Sequence, residues 1–121
     1  MTKIDILFFP FPDYMHNKFG GFATYAGGRY KVIIDNRQPE QLQQRFLKHE
    51  FGHIMLNHIL SSDPEPEYDT PEFYAREAAA DDYADNMTDA EYSALLSVST
   101  QKHLDTLPEG IPEQLPEVVP A

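Results

Sequence analysis

PEQLQQRFLKHEFGHIMLNHIL, residues 39–60, is the stretch whose reading decides the rest of the chain. Pro39 suits the first turn of a helix, where its missing N–H is not needed. From there to about Leu60 no further proline occurs, and Gly52 is the lone glycine. Leu42, Phe46, Ile54 and Leu56 are interleaved with polar residues, which predicts one long helix. Inside it, His49-Glu50-Phe51-Gly52-His53 forms an H-E-x-x-H motif. Residues four apart are neighbours on one helix face, so the two imidazoles can converge on one metal ion. Glu50 lies beside them, placed to take a proton from a water that the metal activates. With five His and ten Glu in the chain, chance predicts roughly 0.02 such motifs, so two unrelated surface histidines are a poor account of it.

A catalytic zinc takes three protein ligands and keeps one position open. With no cysteine in the chain, the third ligand must be His, Asp or Glu. His58 stands nine residues after His49, on the far side of a continuous helix, and no Gly or Pro between Ile54 and Asn57 would swing it back. It is expected to be a helix-end or surface histidine. Glu77 is the better candidate. It sits in Tyr74-Ala75-Arg76-Glu77-Ala78-Ala79-Ala80-Asp81, where small side chains allow a second helix to approach the first closely. Phe73, Glu77, Ala80, Asp81 and Ala84 share one face of that helix. Asp81, one turn on, could accept a hydrogen bond from a ligand histidine and fix its tautomer. Asp63, Glu67, Asp69 and Glu72 compete as ligands, but they lie in or near a loop.

The flanking sequence predicts an α+β fold. Residues 4–9, then Phe22 to Tyr25 and Tyr30 to Asp35, read as strands, the last two joined through Ala26-Gly27-Gly28-Arg29. Residues 13–21 read as loop. The expected architecture is a small three-stranded, mostly antiparallel sheet packed on the H-E-x-x-H helix, a second ligand-bearing helix and a further C-terminal helix. Thr70-Pro71-Glu72 starts the second helix with a cap, a proline and an acid, and it should run to about Met87. Thr88 and Glu91 have capping-box spacing for the third, which should end between Lys102 and Leu107. One folded domain is expected over 1–107. Pro108-Glu109, Pro112-Glu113 and Pro116-Glu117 recur every four residues, so 108–121 is expected to be a disordered tail.

The net charge of -11 is unevenly spread. Residues 63–91 hold eleven acids and one base, whereas 1–60 hold seven bases and five acids. Direct nucleic-acid binding by the acidic part is disfavoured, because phosphate contacts need Lys and Arg. The N-terminus carries no basic and then apolar leader, and no apolar run reaches the length of a membrane span, so a cytoplasmic protein is expected.

H-E-x-x-H followed by E-x-x-x-D resembles the thermolysin-like, Glu-liganded zinc peptidases. More closely, strands, then His49-Glu50-Phe51-Gly52-His53, then Glu77-x-x-Ala80-Asp81-x-Tyr83-Ala84 resemble the ImmA/IrrE family of metallopeptidases. That family's second motif reads E-x-x-A-N/D-x-F-A, and Tyr83 stands where Phe is usual. After Ala84 the chain continues Asp85-Asn86-Met87-Thr88, where the family has a more apolar stretch. The resemblance spans roughly residues 4–87. It implies Zn2+ held by His49, His53 and Glu77, Glu50 as the base, and Asp81 as an outer partner of a ligand. It also implies regulatory proteolysis in a bacterium, phage or mobile element, on a protein or peptide substrate such as a transcriptional repressor. The alternative from another class is a zinc-stabilised module that binds a repressor or toxin without cutting it; retention of Glu50 speaks for catalysis, since a structural site needs no base. For an oxyanion partner, Tyr74, Tyr83 and His103 are weak candidates. The strand Phe22 to Tyr25 could hold a substrate by strand addition.

Overall fold

In the computed structural model, which describes residues 3–59 and 69–105, four strands and four helices follow in the order β1 (Ile4–Phe9), α1 (Asp13–His16), β2 (Gly21–Ala26), β3 (Arg29–Asp35), α2 (Glu40–Met55), α3 (Pro71–Asn86), α4 (Asp89–Ser97) and β4 (Ser99–His103). The α+β class is as expected, but the sheet is not. It has four strands in the order β2-β3-β1-β4 rather than three, and it is mixed. β1 pairs in parallel with both β3 and β4, and β2 with β3 is the antiparallel pair.

The reason lies in β1. Ile-Asp-Ile-Leu-Phe-Phe is nearly continuous in apolar residues, and such a run needs cover on both faces. Placing β1 in the centre supplies it. On one face Ile4, Ile6, Val32 and Ile34 pack against Phe46, Leu47, Phe51 and Ile54 of α2. On the other, Leu7, Phe9 and Ile33 pack under Phe11, Met15 and Phe19. The segment after Pro12, expected as loop, therefore contains the turn α1, which seats Met15 in this second core.

β4 reads Ser-Thr-Gln-Lys-His and has no apolar pattern to announce it. It forms because the edge of β1 is available for pairing, and α4 ends at Ser97 instead of running on to Lys102 or beyond. The β2–β3 hairpin turns through Gly27 and Gly28 at φ of 63° and 77°, the left-handed pair a tight two-residue turn requires.

Asp35 closes the end of β3. Fully buried, it accepts from the Phe11 and Arg37 N–H groups at 3.1 and 3.0 Å, and its other oxygen meets His16 Nδ1 at 2.5 Å. These bonds compensate a buried charge that would otherwise be costly, and they tie the ends of β1 and β3 to the entry of α2.

α2 presents Phe46, Leu47, Phe51 and Ile54 to the core, while Leu42 and Leu56, expected on that stripe, are 40% and 38% exposed. The helix stops at Met55, short of Leu60. α3 opens as expected, the Thr70 hydroxyl accepting from the Phe73 N–H at 3.2 Å with Pro71 in the first turn. Thr88 caps α4 through the Glu91 N–H at 3.1 Å. Segment 60–68, with the expected loop around Pro64 and Pro66, and the Pro/Glu repeat of 108–121 lie outside the described residues.

The helices α2 and α3 meet backbone to backbone at Gly52. A Cβ there would come within 2.8 Å of the Ala80 carbonyl oxygen and 3.2 Å of its Cα. Glycine and alanine together allow this approach, and no side-chain rotation could relieve a clash with backbone. Gly52→Ala should therefore destabilise the protein by about 1–3 kcal/mol through overpacking, despite alanine's better helix propensity. Urea unfolding checks it: a midpoint equal to or above wild type would show that the two helices separate freely.

Candidate metal centre

The contact between Gly52 and Ala80 positions what stands around it. His49 and His53 lie one turn apart on α2, Gly52 falls between them, and Glu77 precedes Ala80 by three residues on α3. Locking the helices at Gly52 thus brings Glu77 over both imidazoles. Its Oε2 lies 2.9 Å from His49 Nε2 and its Oε1 lies 3.3 Å from His53 Nε2. The two Nε2 atoms are 3.1 Å apart. Three side chains from two helices therefore bring their polar atoms within reach of one another.

The outer nitrogens are also engaged. His49 Nδ1 is 2.7 Å from Asp81 Oδ1, the partner expected from the sequence. His53 Nδ1 is 2.9 Å from His58 Nδ1, which was not expected. His58 does close the helix end, as expected, but it is half-buried beside the cluster rather than carried to the far side of the helix. The correction has a local cause: Asn57 adopts a left-handed φ of 59°, which turns the chain back after α2. Asparagine tolerates that conformation nearly as glycine does, so Asn57 was the signal that a search for Gly or Pro alone overlooks.

Glu50 is 6% exposed and stands in the same group; His49, Glu50 and His53 could hold a metal ion. Burial raises the Glu50 pKa, while the neighbouring His53 and His49 draw it back. For His49, burial works to lower the pKa, but the hydrogen bond to Glu77 and the nearby acids outweigh it and lift the value to about 9. Burial likewise works to raise Glu77, and its bonds to His49 and His53 overcome this and take it to about 2. Without a metal, a proton on His49 therefore holds the cluster together.

The competing acids are placed elsewhere. Asp69 accepts a hydrogen bond from the Tyr74 hydroxyl, and Glu72 is exposed. Asp63 and Glu67 lie outside the described residues. Of the weak oxyanion candidates, His103 stacks on Phe8 with centroids 4.8 Å apart, Tyr83 packs against the helix-side core, and Tyr74 is engaged with Asp69.

No family model matches the chain, and neither a curated protein nor a solved structure matches it. No helix among the described residues is long and apolar enough to cross a membrane.

The ion pair between His49 and Glu77 makes the metal-free protein sensitive to pH in a defined direction. A histidine whose pKa rises from 6.5 to about 9 on folding contributes stability that is complete below pH 6.5 and is lost as pH climbs through 9. Glu77, lowered from 4.5 to about 2, contributes stability that is present above pH 4.5 and is lost as pH falls through 2. In the presence of a chelator, the melting temperature should decline between pH 6.5 and 9, and the decline should be shallower in Glu77→Gln. Equal slopes in the two proteins would mean that Glu77 does not hold the His49 proton.

Proposed function

We propose that this chain is a zinc-dependent endopeptidase of the ImmA/IrrE kind, with His49, His53 and Glu77 as the metal ligands and Glu50 as the catalytic base. The observation that carries the reading is the meeting of His49 Nε2 and His53 Nε2, 3.1 Å apart, with the Glu77 carboxylate, whose Oε2 lies 2.9 Å from the first and whose Oε1 lies 3.3 Å from the second. Ligand atoms about 2.0–2.2 Å from a tetrahedral zinc stand roughly 3.3 Å apart. The donor set fits equally well: two imidazoles and one carboxylate are the protein ligands of a hydrolytic zinc with an open position. Zinc bound there would supply a Lewis acid, acidifying water and polarising a carbonyl.

The chain's own residues divide the remaining work. Glu50, which stands in the same group as His49 and His53, would take a proton from the attacking water and pass it to the departing amine. Asp81 at His49 Nδ1 holds that ring with Nε2 turned inward. Zinc held there would take the place of the proton on His49, so its uptake would be coupled to proton release.

A protein substrate has a fitting place to lie. β2 is an edge strand, and α2 packs on β2 and β3. In a two-residue hairpin Ala26 and Arg29 form the hydrogen-bonded pair, so alternation turns the backbone of Ala23 and Tyr25 outward. A peptide could add there as a further strand. The acidic sequence around the site disfavours nucleic acid as substrate, and a repressor of a phage or mobile element is the substrate class that the motif resemblance suggests.

Wild type should bind about one zinc per chain. Glu77→Ala should lose most of it. Glu50→Gln should retain zinc and cut a co-expressed repressor at least about a hundredfold more slowly than wild type. Metal analysis beside a cleavage assay separates the readings. Absence of zinc from wild type overturns the metal centre, whereas zinc with indistinguishable behaviour of wild type and Glu50→Gln on every partner replaces the peptidase with a zinc-stabilised binding module.

A further inference from the structure

His58 follows the end of α2, and the turn that carries it is built with care. The Asn57 N–H reaches the Ile54 carbonyl at 3.1 Å and the His58 N–H reaches the His53 carbonyl at 2.9 Å. These are the paired bonds of a Schellman ending, with Asn57 as its left-handed residue. The chain reverses, and the His58 ring returns to His53 with centroids 5.1 Å apart. Arg76, the residue before Glu77 on α3, donates to the His58 carbonyl at 3.0 Å. The turn is thus held both by α2 and by the helix that supplies Glu77.

The two Nδ1 atoms of His53 and His58 are 2.9 Å apart, so one must donate and the other accept. The chemistry decides which. His53 Nε2 is the atom turned toward His49 Nε2 at 3.1 Å and Glu77 Oε1 at 3.3 Å. A neutral imidazole that offers Nε2 to a cation carries its proton on Nδ1. His53 must then be the donor and His58 the acceptor. His49 has the same arrangement, with Asp81 at its Nδ1.

We propose that His58 is a positioning residue of the metal centre: its Nδ1 accepts the Nδ1 proton of His53, fixing the tautomer and ring orientation that turn His53 Nε2 to the ion. The proposal rests on the reading of His49, His53 and Glu77 as zinc ligands. It gives the second histidine of the motif a neutral partner where the first has a carboxylate. Glu50, Glu77 and Asp81 already place three carboxyl groups close to the site, and a neutral acceptor adds no further one on the His53 side.

The test is zinc affinity of the full chain, by competition with a chromophoric chelator, for wild type, His58→Leu and His58→Asn. Leucine fills space without accepting; the asparagine Oδ1 stands where the histidine Nδ1 stood. His58→Leu should bind zinc about 10–100-fold more weakly, and His58→Asn should stay within about threefold of wild type. Equal affinity in wild type and His58→Leu overturns the proposal, as does an asparagine variant as weak as the leucine one, which would mark a packing role. Absence of zinc from wild type overturns the ligand reading itself, and this proposal with it. Nitrogen-15 spectra of the histidine rings in zinc-loaded wild type give a check independent of whether the variants fold: His53 should carry its proton on Nδ1, and a proton on Nε2 overturns the proposal.

Discussion

The approach of α2 to α3 at Gly52 and Ala80 is the constraint on which the candidate site depends. A carbonyl oxygen that would lie 2.8 Å from a Cβ leaves no room for any side chain at position 52. The consequence reaches beyond packing. His49 and His53 flank this contact on one helix, and Glu77 and Asp81 flank it on the other. A displacement of about an ångström would part Glu77 from one or both imidazoles, since its bonds to them are already 2.9 and 3.3 Å long. Overpacked helices have few ways to relax other than such a shift. A single backbone contact thus sets the spacing of four polar side chains.

Those side chains would be a poor choice for stability alone. Glu50 and His49 are almost wholly buried, and buried ionisable groups cost free energy unless paired. The metal-free cluster resolves this by keeping a proton on His49 and an anion on Glu77. That arrangement is cohesive but polarised, and a divalent cation at the same donors would bring more charge without the proton. Asp81 and His58 meet the outer Nδ1 atoms of His49 and His53.

The sheet provides the rigid floor. β1 at its centre is covered on both faces, by α2 on one and by Phe11, Met15 and Phe19 on the other. Asp35 then binds the end of β3 to the segment leading into α2. Between β1 and β4 the described chain passes through four helices and the β2–β3 hairpin before β4 pairs in parallel beside β1.

Local chemistry was sufficient for much of this. The H-E-x-x-H spacing, the Thr70 and Thr88 caps, the glycine hairpin and the alanine-rich face bearing Glu77 and Asp81 all follow from interactions within a few residues, which a linear sequence displays. Sheet order and strand direction did not follow, because β1 chooses its neighbours by burial on both faces and β4 has no apolar pattern of its own. The close contact at Gly52 was half legible: the alanines of α3 suggested it, but the glycine they meet gained its meaning only when the helices were set together. His58 shows the limit most clearly. Helical periodicity puts it opposite His49, and one left-handed residue, Asn57, returns it to His53. The sequence by itself determined which donors stand one turn apart; only the tertiary structure decided which of them meet across helices, because that depends on where backbones can touch and where a chain reverses.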